Sequence, residues 1–282
     1  NVYLGELRTD EAGRLIFLGG RGVSDTMFPD KKPSTFANNA GWHDDVSDGP
    51  VHATVRLGDR TIVADPAWVV TAPPNYAPHI VSPQTMYDVI YDTIYKRWLK
   101  DPAATATPVP SFRDDILPLL QQLTDTQWVN YAFLQQFGWR GAYDFRDEEL
   151  LRKLSTPPIA PGNDPYGELR LQIFYQFRVP GAAELQQLGW PPIYGDAFGN
   201  FLGPAAGFSV TKTTYTQLTN WMSGRFTADY RGPVRRAEHF DEVPLRERPD
   251  TLDRAALHWC MGGPFHPGCE MTWPMRQVVM YR

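Results

Sequence analysis

The segment 251–276 concentrates the side chains of this chain that are best suited to chemistry. It contains both cysteines, Cys260 and Cys269, and two of the six histidines, His258 and His266. Thiols and imidazoles can bind zinc, but this spacing matches no common zinc finger or ribbon. A Cys260–Cys269 disulfide and two buried free thiols are the other interpretations that these residue types allow.

The residues before Cys260 have the pattern of a helix. We expect it to cover residues 252–261, with Asp250 or Thr251 as its cap and two glycines at its end. Seven residues make nearly two helical turns, so Asp253 and Cys260 would share a face, about 10 Å apart along the axis. The C-terminal end of a helix dipole is negative and disfavours a thiolate. A covalently modified Cys260 is therefore favoured over a free nucleophile.

A second cluster lies near the start of the chain. His43, Asp44, Asp45 and Asp48 place three carboxylates and one imidazole within six residues. Carboxylate oxygens at this density could bind a divalent cation or a substrate ammonium group. The spacing fails the EF-hand pattern, and a loop whose Asp side chains cap their own backbone is the alternative.

Composition limits the classes of partner. The net charge of −5 and the pI of about 5.7 argue against nucleic acid and anionic membranes, which bind basic surfaces. The sequence contains no run of about 18 apolar residues, so it predicts no membrane span. Two cysteines are too few for a disulfide scaffold. The chain begins at Asn1 rather than Met, which leaves the compartment open, with secreted and periplasmic locations included.

The elements that would position these residues predict an α+β protein. Residues 1–70 are β-rich, with strands over 14–18 and 51–57 and a hairpin turn at Gly58–Asp59. Gly19–Gly22 lacks the spacing of a dinucleotide site and is interpreted as a turn. The middle is helical, and 26 Pro with 23 Gly predict long ordered loops. We expect one large domain over 1–282, with a candidate sub-boundary near 155–165.

The sequence predicts where three helices in the middle of the chain begin, and which apolar residues form the core-facing side of two of them. Ser82–Pro83 predicts the first, and Ser111, with Asp114 three residues later, predicts a capping box for the second. Thr213 or Thr214 would cap the third. The expected core face of the first helix is formed by Tyr87, Ile90, Tyr91, Ile94 and Trp98. The apolar face of the second is formed by Ile116, Leu119, Leu120 and Leu123.

Several stretches together resemble a known family. They are residues 4–15 with 19–22, Trp42–Val51, residues 66–70 with 73–78, and Cys260–Gly268. They keep their order over almost the whole chain. In this respect the sequence resembles the LodA-like amino-acid oxidases of the lysine ε-oxidase and glycine oxidase type, which carry cysteine tryptophylquinone.

The resemblance implies a cofactor and a reaction. In such enzymes a Trp is oxidised to a quinone and joined to a Cys through a thioether. A primary amine of an amino acid, or one carried by a peptide, is oxidatively deaminated with O2, giving H2O2 and ammonia. The implied partners are thus an amino acid or amine and O2, and the protein is expected to be a homo-oligomer that needs no metal.

The resemblance also implies site residues. Cys260 would be the cross-linked cysteine, and Trp273 or a Trp outside this chain would form the quinone. Asp253 would supply the carboxylate needed during maturation. His258 and His266 complete the expected catalytic set. His43, Asp44 and Asp45 form the expected substrate loop.

The sequence departs from the family in three places. No Ile-His-Pro-Ala motif precedes Asn1, no Pro-Trp-Gln motif follows Trp273, and Ala256 stands where an acidic residue is usual, four positions before Cys260. Either the chain is the central part of a longer LodA-like polypeptide, whose remaining segment is a partner, or it is a shortened relative that uses Trp273. The alternative function is a catalytically silent LodA-like scaffold that acts in binding or assembly.

Overall fold

The computed structural model of the chain describes residues 2–28, 30, 41–71, 77, 79–98, 109–183, 188–193, 207–233 and 237–258. It confirms the α+β class. The chain divides into two compact units. The first unit combines residues 2–71 with 243–258, and the second comprises the described residues between 77 and 242.

In the part of the first unit that the structure describes, eight strands pair antiparallel in four two-stranded sheets. The pairs are β1 (Gly5–Thr9) with β2 (Leu15–Gly19), β3 (Ser24–Thr26) with β4 (Trp42–Asp44), β5 (Ser47–Val51) with β8 (Ala67–Thr71), and β6 (Thr54–Leu57) with β7 (Arg60–Val63). The β6–β7 hairpin turns at Gly58, whose φ of 58° lies in the left-handed region that suits glycine. This confirms the expected hairpin.

The strand expected over residues 51–57 is two strands. β5 ends at Val51 and pairs with β8, whereas β6 begins at Thr54 and pairs with β7. The chain changes its pairing partner between them, at residues 52–53. A single alternating pattern therefore covers two strands that belong to different sheets.

The first unit also contains a helix near its C-terminal end. This helix spans Arg248–His258, follows a 3-10 turn at Leu245–Glu247, and packs against β8. It begins four residues before the expected start at Leu252, with Pro249 in its first turn, where a missing N–H costs nothing. The expected caps are therefore wrong: Asp250 accepts a hydrogen bond from Arg254 Nε at 2.9 Å, inside the helix.

The second unit contains the remaining helices that the structure describes. They are α1 (Met86–Trp98), α2 (Leu117–Asp125), α3 (Tyr131–Phe137), α4 (Glu148–Leu154), α5 (Gly167–Phe174) and α6 (Lys212–Met222), so that the helix at Arg248–His258 is α7. A π-helical turn, Phe112–Ile116, leads into α2. Residues 155–165 connect α4 to α5 within this unit.

The expected cap of the second helix is confirmed with a changed partner. Ser111 Oγ accepts a hydrogen bond from the Asp114 backbone N–H at 2.9 Å. The carboxylate that reaches back to the Ser111 N–H is that of Asp115, at 2.7 Å, and not that of Asp114. The π-helical turn adds a residue and moves the reciprocal contact one position along the chain.

An apolar core fills the second unit. Its fully buried members include Phe112, Leu120, Phe137 and Trp221, and the Trp221 indole N–H donates to the Leu154 carbonyl at 3.0 Å. A buried indole N–H needs such a partner, because leaving it unpaired costs roughly 1–3 kcal/mol. The core therefore sits among α2 to α6 and ties the C-terminal end of α4 to α6.

Candidate functional site

Asp45, one of the expected substrate-loop residues, is a structural clip. Its carboxylate accepts hydrogen bonds from the backbone N–H groups of Arg21, at 2.6 Å, and Val23, at 3.0 Å. The hydrogen bond from Val23 is the largest effect that lowers the pKa of Asp45 below the ordinary 3.8, against the opposing effect of burial. Asp45 thus holds the glycine-rich turn in place.

Gly20 makes this close approach possible. A Cβ built at Gly20 would lie 2.4 Å from the Asp45 carbonyl oxygen and 2.5 Å from its carboxylate. Gly19 ends β2, and residues 20–22 lie in the connection to β3 with a bend at Gly22, so the expected turn is confirmed for residues 20–22 only. Asp45 is the residue that holds this connection. The sequence separates the two by more than twenty residues and contains no signal that joins them.

His43 and Asp44 lie on β4 next to this clip. Successive strand residues face opposite ways, and accordingly His43 is half-buried while Asp44 is exposed. His43 pairs in register with Asp25 and Asp44 with Ser24. His43 Nδ1 is buried and, among the residues that the structure describes, has no hydrogen-bond partner. An imidazole nitrogen in this state can bind a water molecule or a polar ligand group.

Two of the expected catalytic residues lie on α7. Asp253 is exposed and His258 is half-buried. Five residues advance a helix by about 140° beyond one full turn, so these two side chains leave α7 on different faces. The helix is described up to His258, two residues before Cys260.

Three expected site residues lie outside the described residues: Cys260, His266 and Trp273. The predicted contact between Cys260 and Trp273 stays a prediction for that reason. Within the described part of the chain, no group of three His, Cys, Asp or Glu side chains could hold a metal ion. No described helix is long and apolar enough to cross a membrane.

The fold joins the two expected site regions. Residues 43–45 and α7 are about two hundred positions apart in sequence but belong to the same compact unit. The physical link is β8, which pairs with β5 and also packs against α7. β5 begins two residues after Asp45. Both regions were recognised in the sequence as separate motifs. Nothing in the sequence connected β8 with either of them.

Solved structures with the same fold define the class of protein. The structure of the ε-lysine oxidase from Marinomonas mediterranea matches with a TM-score of 0.66 and 26% identity, over 99% of this chain and 41% of that one. The Schiff base intermediate of the L-Lys ε-oxidase from the same organism, with L-Lys, matches with a TM-score of 0.65 and 23% identity, over 99% of this chain and 41% of that one. The chain therefore has the fold of an oxidase of this type.

Sequence comparison identifies the family. The model of the L-lysine ε-oxidase N-terminal region matches residues 1–71, and that of the L-lysine ε-oxidase C-terminal domain matches residues 195–282. The chain belongs to the LodA-like family. The L-lysine 6-oxidase of Marinomonas mediterranea is 28% identical over 306 aligned positions, which cover 99% of this chain and 39% of that protein. The chain thus spans about two fifths of the length of that relative.

Proposed function

We propose that this chain forms part of a quinoprotein amino-acid oxidase that removes a primary amine of an amino acid, or of a peptide, with O2 and releases H2O2 and ammonia. The observation that carries the proposal is the compact unit shared by residues 43–45 and α7. The first of these regions falls within the N-terminal family match and the second within the C-terminal match. L-lysine is the first substrate to test, because the relatives are L-lysine oxidases.

The proposed cofactor is cysteine tryptophylquinone, formed from Cys260 with Trp273 or with a Trp outside this chain. When formed, this group supplies the electrophilic carbonyl and the two-electron redox chemistry. The other residues of the chain orient the amine, hold or move protons, and exclude water.

The proposed roles of the described residues follow from their environment. Asp253 is exposed on the helix that leads to Cys260, and its carboxylate is the proposed acid or base of maturation. His258, half-buried on α7, is a proposed imidazole base, and so is His266, which lies outside the described residues. The exposed Asp44 is the member of the substrate loop that can meet an ammonium group, whereas Asp45 is committed to the turn at Arg21 and Val23.

Intact-mass analysis combined with redox-cycling quinone staining tests the proposal. We expect a defined mass change, a positive stain, a visible absorption band, and peroxide release with L-lysine. Cys260→Ser should abolish all four signals. Asp253→Asn should lower peroxide release by about 10²-fold or more, the usual cost of removing a positioned acid or base.

The matched control replaces an exposed tryptophan of the second unit that is not among the proposed site residues. Trp139 is 70% exposed, and Trp139→Phe should keep the stain and the activity. Trp273→Phe should lose both if Trp273 forms the quinone, and should keep both if the Trp lies outside this chain. An unmodified Cys260 with a free thiol, in a polypeptide that also contains any Trp outside this chain, would contradict the enzyme proposal and favour the silent scaffold.

A further inference from the structure

The lining of an open cleft in the second unit includes none of the residues assigned to oxidation. It has a volume of about 470 Å³ and is formed by α4, the turn after it, and residues 228–232. This volume lies in the range of pockets that bind small molecules, roughly 300–1,000 Å³. The charged groups that line it are Glu148, Arg152 and Arg231.

The charges on the α4 side of the cleft are not paired with each other. Glu148 and Arg152 are one helical turn apart, a spacing at which opposite charges usually attract. The neighbouring pair with the same spacing, Glu149 and Lys153, forms an ion pair at 2.7 Å. Among the described residues, neither Glu148 nor Arg152 has an ion pair or a hydrogen bond through its side chain. Both can therefore bind a ligand without losing an internal partner.

The opposite wall of the cleft is held more rigidly. Arg231 Nη1 donates to the carbonyls of Ala228, at 3.1 Å, and Tyr230, at 3.0 Å, which leaves its remaining N–H groups for a ligand. The Tyr230 ring packs edge-on against Phe112, with ring centroids 5.9 Å apart. Its orientation is therefore fixed by the core.

The pKa of the Tyr230 hydroxyl is affected by both charged side chains of α4 that line the cleft. Burial raises the pKa of its hydroxyl, Glu148 raises it further, and Arg152 opposes them. Both side chains therefore lie close enough to the hydroxyl to act on it. Because the hydroxyl keeps its proton at neutral pH, it can donate a hydrogen bond to an anionic group in the cleft.

From this arrangement we infer that the cleft binds a small zwitterion. Its carboxylate would contact Arg152 and Arg231, with Tyr230 as an additional donor, and its ammonium group would contact Glu148. Guanidinium groups suit a carboxylate because their planar N–H groups match its two oxygens. The inference does not depend on the proposed oxidase activity.

The test uses probes that cannot condense with a carbonyl cofactor. N,N-dimethylglycine carries a carboxylate and a tertiary ammonium group, isovalerate is its carbon analogue without the ammonium group, and the methyl ester of N,N-dimethylglycine lacks the carboxylate. Binding is measured by NMR titration of the 282-residue chain. N,N-dimethylglycine should bind saturably and more tightly than either analogue.

Variants on α4 locate the binding. Arg152→Gln and Glu148→Gln should each weaken binding of N,N-dimethylglycine about two- to five-fold, the range expected for a solvent-exposed ionic contact. Lys153→Gln and Glu149→Gln are the matched controls and should change nothing. The inference is overturned by three results: no saturable binding, equal binding of isovalerate, or equal affinity in all four variants.

Discussion

The two compact units differ in how they are held together. In the second unit, large apolar side chains such as Phe112, Leu120 and Trp221 are fully buried. In the first unit, the only buried residue among those whose side chains the structure describes is Asp45, at 7% exposure. Apolar strand residues such as Leu57 and Val63 are exposed at 59% and 76%.

The difference indicates that the units gain stability from different sources. Two-stranded sheets are marginal in water unless they pack against other elements. The first unit relies on backbone pairing and on polar contacts such as the Asp45 clip, whereas the second has hydrophobic burial, which contributes roughly 25 cal/mol per Å². We expect the first unit to open locally at a lower free energy than the second. Expected site residues from both ends of the sequence thus lie in the unit that we expect to be less stable.

Removing one large side chain from each unit gives the largest expected contrast. Trp221→Ala should lower the free energy of unfolding by about 3–5 kcal/mol, because it leaves a cavity and an unpaired Leu154 carbonyl. Trp68, on β8, is 48% exposed, and Trp68→Ala should cost about 1 kcal/mol or less. Urea unfolding followed by the helical CD signal measures both. Equal costs would contradict the contrast between the units.

The sequence predicted apolar helix faces well where burial alone decides them. The face predicted after Ser111 is confirmed, with Ile116, Leu119, Leu120 and Leu123 all buried. The same reasoning was wrong for α1, where Tyr91 and Ile94 are exposed at 41% and 47% and the Trp98 side chain lies outside the described residues. Hydrophobic periodicity takes account of apolar residues only. It therefore does not identify a helix face that is held in place by a buried polar side chain.

The anchor of α1 is Asp92. Its buried carboxylate accepts hydrogen bonds from the Thr213 N–H at 2.9 Å and hydroxyl at 2.7 Å, at the start of α6. Met86, Val89 and Tyr95 are buried on the same helix, whereas Tyr91 is exposed. The cap was also displaced: Thr85 and Asp88 form the capping box, with the Thr85 N–H donating to Asp88 at 2.7 Å. Ser82–Pro83 precedes the helix.

The candidate site shows the same limit. Single motifs were recognised from residue types, including the glycine-rich turn and the acidic loop. The contact between them was missed, since a carboxylate that binds backbone N–H groups leaves no trace of its partner in the sequence. The cap of α6 was likewise placed two or three residues late: it is Thr211, whose hydroxyl accepts the hydrogen bond from the Thr214 N–H, and not Thr213 or Thr214.

Removing the charge of the Asp45 carboxylate tests whether the first unit opens locally, without opening of the second unit. Asp45→Asn should speed hydrogen exchange of the Arg21 and Val23 amides several-fold and leave the core amides of the second unit unchanged. Asp44→Asn, one position away and exposed, is the control and should leave those two amides unaffected. NMR-detected exchange measures each amide separately. A uniform acceleration across both units would show that they open together.

The same clip has a defined pH dependence. The pKa of Asp45 is lowered in the folded state by the backbone N–H groups that it accepts. Its stabilising contribution is therefore present above the ordinary pKa of 3.8 and is lost as the pH falls through the lower folded value. Protection of the Arg21 and Val23 amides should decline only in that acidic window.

A carboxyl group in the second unit should respond to pH in the opposite direction, and this is the smallest effect that we expect. Burial raises the pKa of Asp115 above 3.8, Asp114 and Asp229 raise it further, and hydrogen bonds from the Ser111 N–H and the Gln217 amide oppose them. The folded state therefore binds the Asp115 proton more tightly than the unfolded state does. Stability should fall as the pH rises from about 3.8 through the raised pKa.

Asp115→Asn removes this titration while keeping an oxygen that can accept the Ser111 N–H. The free energy of unfolding of this variant should decline less than that of the unchanged chain over that pH window, in urea titrations at several pH values. Asp59→Asn, in the exposed β6–β7 turn, should follow the unchanged chain. If Asp115→Asn instead steepened the decline, ionised Asp115 would be a net stabilising group, and its hydrogen bonds would outweigh its burial. The second unit would then depend on a polar contact at its cap just as the first unit depends on Asp45.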